Sequence, residues 1–199
     1  SIFHYVHKCI TYGLNSVDSF DTSRTALSVF ISILSSRILS INSYPQPGYI
    51  SFTYMSYNTI EKLNRPASDL FQSPYAERIP DLMDGSKSIG EANSYLTNVI
   101  KDLFSEKFLT EFLGNGEIEL KESFEKNSLL DWKPKAPIKL FHGDNDDEVN
   151  YNNSVIAYDN LKSNGADIEL ITIDGGSHSG SIFQSYSQAL DWFNILKEE

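Results

Sequence analysis

The last third of the sequence alternates between short strand-like runs and longer helical patterns, and this alternation limits the possible folds more than any other feature. The strand candidates are IKLFH at 138–142 and DIELITI at 167–173, and the helix candidates are 153–166 and 181–197. Strands that alternate with helices through short loops predict a parallel βαβ arrangement. Because a parallel sheet is buried on both faces, we expect further strands from residues 1–21 or from polypeptide outside this chain.

The segment before Pro134 has a different character, since its apolar residues recur mostly at helical spacing. Ser88, with Glu91 three residues later, fits a capping box, and we expect the helix that starts there to continue to the GNG of 114–116. The sequence thus predicts an α/β chain in three parts. These are a core strand and connection at 1–21, a helical cap or lid at 22–133, and a C-terminal α/β portion at 134–199.

The charge of the chain argues against one large class of partners. Its 199 residues carry a formal net charge of −11, and they contain no basic run. Nucleic-acid binding needs clustered Lys and Arg against the phosphates, so we expect no nucleic-acid partner. The most apolar segment, Thr25 to Ser36, is shorter than a membrane span and contains several serines, so we expect no stable membrane insertion.

Two polar loops follow the two strand candidates, and they hold the residues best suited to chemistry. The first loop, HGDNDDEV at 142–149, contains Asp144, Asp146, Asp147 and Glu148, and the second, DGGSHSG at 174–180, contains His178. In an open α/β sheet, ligands bind at the carboxyl ends of the strands. We therefore expect a carboxylate of the first loop to approach the imidazole of His178.

A metal site is one alternative for the acidic loop. Asp144, Asp146 and Glu148 occupy positions one, three and five of a calcium-binding pattern. Such a loop also requires Gly at position six and Glu at position twelve, and these positions are Val149 and Val155. The mismatch argues against calcium, and we expect neither a metal nor a cofactor.

The N-terminal region holds two further histidines that could form a metal pair. His4 and His7 lie on an apparent strand, but no third ligand is near them in sequence. Core or edge histidines are therefore the favoured interpretation. Cys9 is the only cysteine, which excludes a disulfide within the chain and a cysteine-based metal cluster.

The spacing around the two loops resembles that of a known family. His-Gly-x-x-Asp-x-x-Val follows a strand, and a glycine-rich loop with a histidine comes about thirty residues later. The residues concerned are His142, Gly143, Asp146, Val149, Gly175, Gly176 and His178. The pattern is similar to the C-terminal end of the α/β-hydrolase superfamily, as found in secreted bacterial lipase-like and prolyl oligopeptidase-like serine hydrolases. The resemblance also favours a secreted or periplasmic protein.

This resemblance implies a catalytic role for one residue in each loop. Asp146 would be the triad acid that orients His178, with Asp144 as the second candidate. His178 would be the general base that activates a serine nucleophile. The implied reaction is acyl transfer from a small carboxylic ester or a lipid.

The serine nucleophile departs from the family pattern. The superfamily places it in a Gly-x-Ser-x-Gly elbow upstream of the acid and the histidine, and this sequence has no such elbow. The nearest stretch, GSKSIG at 85–90, has Ser86 where the elbow needs glycine, and we interpret it as a helix N-terminus. We therefore expect a C-terminal hydrolase fragment that is inactive without the N-terminal part of the same fold.

Three other functions stay open at this point. A non-catalytic α/β-hydrolase-like binding module would keep the same residues for structural reasons. A peptidase of the prolyl oligopeptidase type would apply the same pair to a peptide bond. A helical partner-binding domain with a small α/β tail would use neither loop for chemistry.

Overall fold

The computed structural model describes residues 42–127, 130 and 132–197. These residues fall into two compact units, a helical unit that ends at Lys126 and an α/β unit that starts at Asn127. The predictions made for 1–21 and for 22–41, including those for His4, His7 and Cys9, lie outside the described residues. The predicted division at 133/134 stays a prediction.

The helical unit consists of short helices, as expected of a sequence that contains several prolines and helix-capping serines. Its described helices are α1 (Pro47–Ile60), α2 (Ala67–Leu70), α3 (Tyr75–Leu82), α4 (Ile89–Asn93), α5 (Ile100–Leu103), α6 (Glu106–Leu113) and α7 (Ile118–Lys126). Ser88 caps α4 as the sequence predicts, because its Oγ accepts the Glu91 N–H at 3.2 Å. Ser105 caps α6 in the same way, with its Oγ 3.1 Å from the Phe108 nitrogen.

The expected continuous helix from Ser88 to the GNG segment was wrong, since α4, α5 and α6 are separate. Phe104 ends α5 in an extended conformation and forms an antiparallel bridge with Phe71. Ser105 then restarts the helix as a cap. The apolar residues nevertheless share one core, since Phe104 after α5 and Phe108 and Phe112 of α6 all pack on Tyr54.

That core is built around Tyr54 of α1, which is 1% exposed. Its ring meets Phe104 at 5.3 Å and Phe108 at 5.2 Å between centroids, in edge-to-face geometry. Phe124 of α7 packs on the same ring at 5.7 Å. Such aromatic pairs add stability beyond the burial of their area, so the short helices share one core although each is too short to be stable alone.

The α/β unit contains the predicted parallel pair of strands. It is formed by β1 (Ile138–Gly143), α8 (Asn152–Ser163), β2 (Ile168–Ile173) and α9 (Ile182–Leu196). The two strands are parallel, with Ile138 opposite Ile168 and Gly143 opposite Ile173. Leu161 of α8 is buried against this sheet, and Gly165, at a φ of 82°, ends the helix in the left-handed conformation that glycine favours. The prediction of an α/β fold with a parallel βαβ unit is confirmed.

The last helix, α9, differs from the others because none of its residues is buried. Phe183 is 85% exposed and Leu190 is 61% exposed. In an α/β protein such a helix normally covers one face of a larger sheet, whereas the sheet within 132–197 has two strands. Among the described residues, no helix has both the length and the apolar character that crossing a membrane requires.

Candidate functional site

The carboxyl ends of β1 and β2 bring the two polar loops into direct contact. The Asn145 N–H donates to the Gly176 carbonyl at 3.1 Å, and the Asp144 N–H donates to the Ile173 carbonyl at 3.2 Å. Gly143 makes this approach possible, since a Cβ there would lie 2.0 Å from the Gly176 oxygen. The glycine beside His142 is therefore needed for the loops to meet.

The loops place Asp146 against His178, as the sequence predicts. Nδ1 of His178 lies 2.9 Å from Oδ2 of Asp146, and the two side chains are 16% and 6% exposed. A carboxylate can only accept, so Nδ1 carries the proton, and Nε2 is the basic nitrogen when the ring is neutral. The arrangement fixes the tautomer that a general base requires.

The other oxygen of Asp146 is held by its own loop. Oδ1 accepts the Val149 N–H at 2.7 Å and the Glu148 N–H at 2.9 Å. Burial by itself raises the pKa of Asp146, but hydrogen bonds from His142, His178 and the Val149 N–H outweigh it and hold that pKa well below its usual range. Asp146 is therefore a fixed anion beside His178.

The same contact raises the pKa of His178. Its hydrogen bond to Asp146 is the main cause, and burial of the ring acts in the opposite direction. The negative charges of Asp146, Glu148 and Asp147 raise the pKa further. A histidine tuned in this way retains a proton more readily than a free imidazole and is a stronger base.

Asp144, the second candidate for the acid, has a different position. Its Oδ1 accepts the Gly175 N–H at 2.7 Å, which ties the two loops together. The structure thus brings Asp146, and not Asp144, to His178. Asp147 is exposed and Glu148 is half-buried.

His142 is a polar residue of the site to which the sequence pattern assigns no catalytic role. Its ring is 9% exposed, with Nε2 3.0 Å from the Val149 carbonyl and 3.3 Å from Oδ2 of Asp146. Nδ1 lies 2.6 Å from Oγ of Ser154. Its position in the sequence indicates a role in the site, because His142 ends an apolar strand four residues before Asp146. The carboxyl ends of such strands are where ligands bind.

The described residues contain no group of three or more His, Cys, Asp or Glu side chains arranged to hold a metal ion. In the acidic loop, the carboxylates of Asp144 and Asp146 accept hydrogen bonds from Gly175, Glu148, Val149 and His178. These hydrogen bonds use Oδ1 of Asp144 and both carboxylate oxygens of Asp146.

Sequence comparison assigns the chain to a family. The profile of the prolyl oligopeptidase family matches residues 93–197, which is more than half of the chain and includes both Asp146 and His178. The chain belongs to the prolyl oligopeptidase family. This prolyl oligopeptidase family member has no significant match among curated proteins.

Solved structures share the fold of this prolyl oligopeptidase family member. The rice cell wall degrading esterase LipA from Xanthomonas oryzae is 20% identical with a TM-score of 0.63, over 81% of this chain and 44% of LipA. A protein described as a hydrolase, lpg1103 from Legionella pneumophila, is 18% identical with a TM-score of 0.72, over 89% of this chain and 55% of that one. The resemblance to the α/β-hydrolase superfamily is confirmed, and the chain spans about half the length of these structures.

Proposed function

We propose that this chain supplies the acid and the histidine of a serine hydrolase. The observation that carries the proposal is the 2.9 Å contact between Nδ1 of His178 and Oδ2 of Asp146, at the carboxyl ends of two parallel strands. Membership of the prolyl oligopeptidase family supports it.

In the proposed reaction, His178 acts first as a base and then as an acid, while Asp146 stays ionised. Nε2 of His178 takes the proton of a serine hydroxyl while the serine oxygen bonds to the substrate carbonyl carbon. His178 then gives that proton to the leaving alcohol as the carbon–oxygen bond breaks, which leaves an acyl-serine. Water repeats the sequence with His178 as base and releases the acid and the free serine. Asp146 stays ionised throughout and stabilises the imidazolium.

We place the nucleophile and the oxyanion hole in a further part of the fold. No Gly-x-Ser-x-Gly elbow occurs in the sequence, and the matched structures are about twice as long as the region that this chain covers. The exposed apolar residues of α9, such as Phe183 and Leu190, suit a helix that packs on the missing strands. The isolated chain is then inactive.

An ester is the proposed substrate class, and a peptide bond is the second candidate. LipA is an esterase, whereas the family profile takes its name from a peptidase. Both reactions use the same acyl transfer, so the Asp146–His178 pair does not distinguish them. The acyl group is small or lipid-like in this proposal.

A serine-directed fluorophosphonate probe tests the proposal. The protein expressed from the whole reading frame should be labelled and should hydrolyse p-nitrophenyl butyrate, and His178→Ala should lose both properties. Asp147→Asn is the matched control, since Asp147 is an exposed acid of the same loop. Persistent hydrolysis by His178→Ala would remove the proposed base, and an unlabelled wild-type protein would favour a non-catalytic binding module.

The same protein separates the two substrate classes. Cleavage of p-nitrophenyl esters without cleavage of a prolyl p-nitroanilide would support the esterase assignment. The opposite preference would replace it with the peptidase.

A further inference from the structure

Ser154, His142, Asp146 and His178 form one continuous row of polar side chains. Oγ of Ser154 lies 2.6 Å from Nδ1 of His142, and Nε2 of His142 lies 3.3 Å from Oδ2 of Asp146. The same Oδ2 atom lies 2.9 Å from Nδ1 of His178. Asp146 therefore meets two imidazoles at one oxygen, and only His178 belongs to the pair described above.

The tautomer of His142 follows from its partners. The Val149 carbonyl, 3.0 Å from Nε2, can only accept a hydrogen bond, so Nε2 carries a proton. The same nitrogen lies 3.3 Å from Oδ2 of Asp146. In a neutral ring, Nδ1 then accepts the Ser154 hydroxyl proton, and this contact fixes the ring orientation.

We propose that His142 is a positioning residue that holds Oδ2 of Asp146 in place for His178, with Ser154 fixing the His142 ring from behind. The effect of His142 on catalysis rests on the proposed function. The positioning itself is a property of the folded chain and does not depend on turnover.

Burial makes the arrangement effective. The side chains of His142 and Asp146 are 9% and 6% exposed, and hydrogen bonds between such groups are stronger than those in water. The edge of the Tyr151 ring packs on the His142 ring at 5.6 Å between centroids, and the Tyr151 hydroxyl bonds Thr172, which is opposite His142 in β2. The ring is thus confined by β2, by α8 and by the loop that carries Asp146.

Among the residues that the structure describes, three carboxylates bear on the pair of His142 and His178. Asp146 is the carboxylate that faces His142, and Glu148 and Asp147 act through their charge on His178. A change at His142 should therefore be reported by the titration of Asp146 and by the tautomer of His178. A residue that only filled space would move neither.

Two amide substitutions separate these roles, because each amide reproduces a different ring nitrogen. The amide nitrogen of Gln can occupy the place of Nε2, whereas that of Asn reaches only the place of Nδ1. In the 199-residue chain, carbon-13 NMR of the Asp146 carboxyl and nitrogen-15 NMR of the His178 ring are followed against pH. His142→Asn should raise the pKa of Asp146 by about one unit, the size expected for one lost charge-assisted hydrogen bond.

His142→Asn should also lower the fraction of neutral His178 rings that carry their proton on Nδ1. His142→Gln should restore at least half of both effects. Glu169→Gln, which changes a 57% exposed carboxylate of β2 that pairs with Lys139, is the control and should leave both readouts unchanged. A folded His142→Asn chain with wild-type values for both readouts would overturn the proposal.

If the His142 substitutions unfold the chain, a milder variant tests the positioning role of His142. Ser154→Ala keeps the imidazole and removes its Nδ1 partner, and it should raise the pKa of Asp146 by a smaller amount. An unchanged Asp146 titration in that variant would overturn the proposal. Absent ester hydrolysis by the protein expressed from the whole reading frame, alongside the expected NMR changes in the 199-residue chain, would contradict the proposed function alone.

Discussion

Nδ1 of His178 lies 2.9 Å from Oδ2 of Asp146, although the two residues are 32 positions apart in the sequence. The parallel register of β1 and β2 explains the contact, because the strands end side by side at Gly143 and Ile173. The loops that leave these ends are then joined by the hydrogen bond from the Gly175 N–H to Asp144.

The stability of the folded chain should depend on pH through this pair. The pKa of His178 is raised on folding, so its contribution is complete below 6.5 and is lost as pH rises through the folded value. The pKa of Asp146 is lowered, so its contribution is complete above 3.8 and is lost as pH falls. Urea unfolding should therefore show the largest difference between wild type and Asp146→Asn between these two values. A difference that is the same at pH 5.5 and pH 9 would contradict the raised pKa of His178.

The rate of the complete enzyme should rise with pH. In the proposed reaction His178 accepts a proton only when its ring is neutral, and its pKa is raised above 6.5. The acid limb of the pH profile of kcat/KM should thus have its midpoint above 6.5. A midpoint near 5 would assign the limb to a different group.

Gly143→Ala should separate the two loops. The added Cβ would lie 2.0 Å from the Gly176 oxygen and 2.2 Å from Oγ of Ser181, so we expect a loss of about 3 kcal/mol in the free energy of unfolding. Gly90→Ala, inside α4, is the matched control because nothing lies within 4 Å of the new Cβ. That control should be neutral or stabilising, and equal effects of the two changes would refute the steric argument.

Glu117→Gln should destabilise the helical unit. The carboxylate is 4% exposed, and its two oxygens bind the Arg65 guanidinium at 2.5 and 2.9 Å. Loss of one partner of such a pair costs about 3 kcal/mol. Asp69→Asn removes only the weaker 3.8 Å contact of a half-exposed carboxylate with Arg65 and should cost about 0.5 kcal/mol or less. Thermal unfolding of both variants provides the comparison.

The sequence predicts the α/β unit well because each element there has a local signal. The apolar runs predict β1 and β2 within one residue, and Gly165 marks the end of α8. The same alternation predicts which loops meet, and with them the contact between Asp146 and His178.

The remaining features depend on contacts between distant residues. The bridge between Phe71 and Phe104 divides the expected long helix. No local sequence pattern predicts this bridge. The place of His142 depends in the same way on Val149, Ser154 and Asp146, which surround its ring only after folding. The apolar pattern of β1 does not indicate that His142 is buried among polar side chains.

The most direct test of the proposed acid compares Asp146→Asn with Asp144→Asn in the protein expressed from the whole reading frame. The measurement is kcat/KM for p-nitrophenyl butyrate. Asp146→Asn should lower it by about ten thousandfold, since the histidine loses its tautomer and its partner anion. Asp144→Asn should have a far smaller effect, because it removes only the tie to Gly175. The reverse order of the two losses would contradict the assignment of Asp146 as the acid.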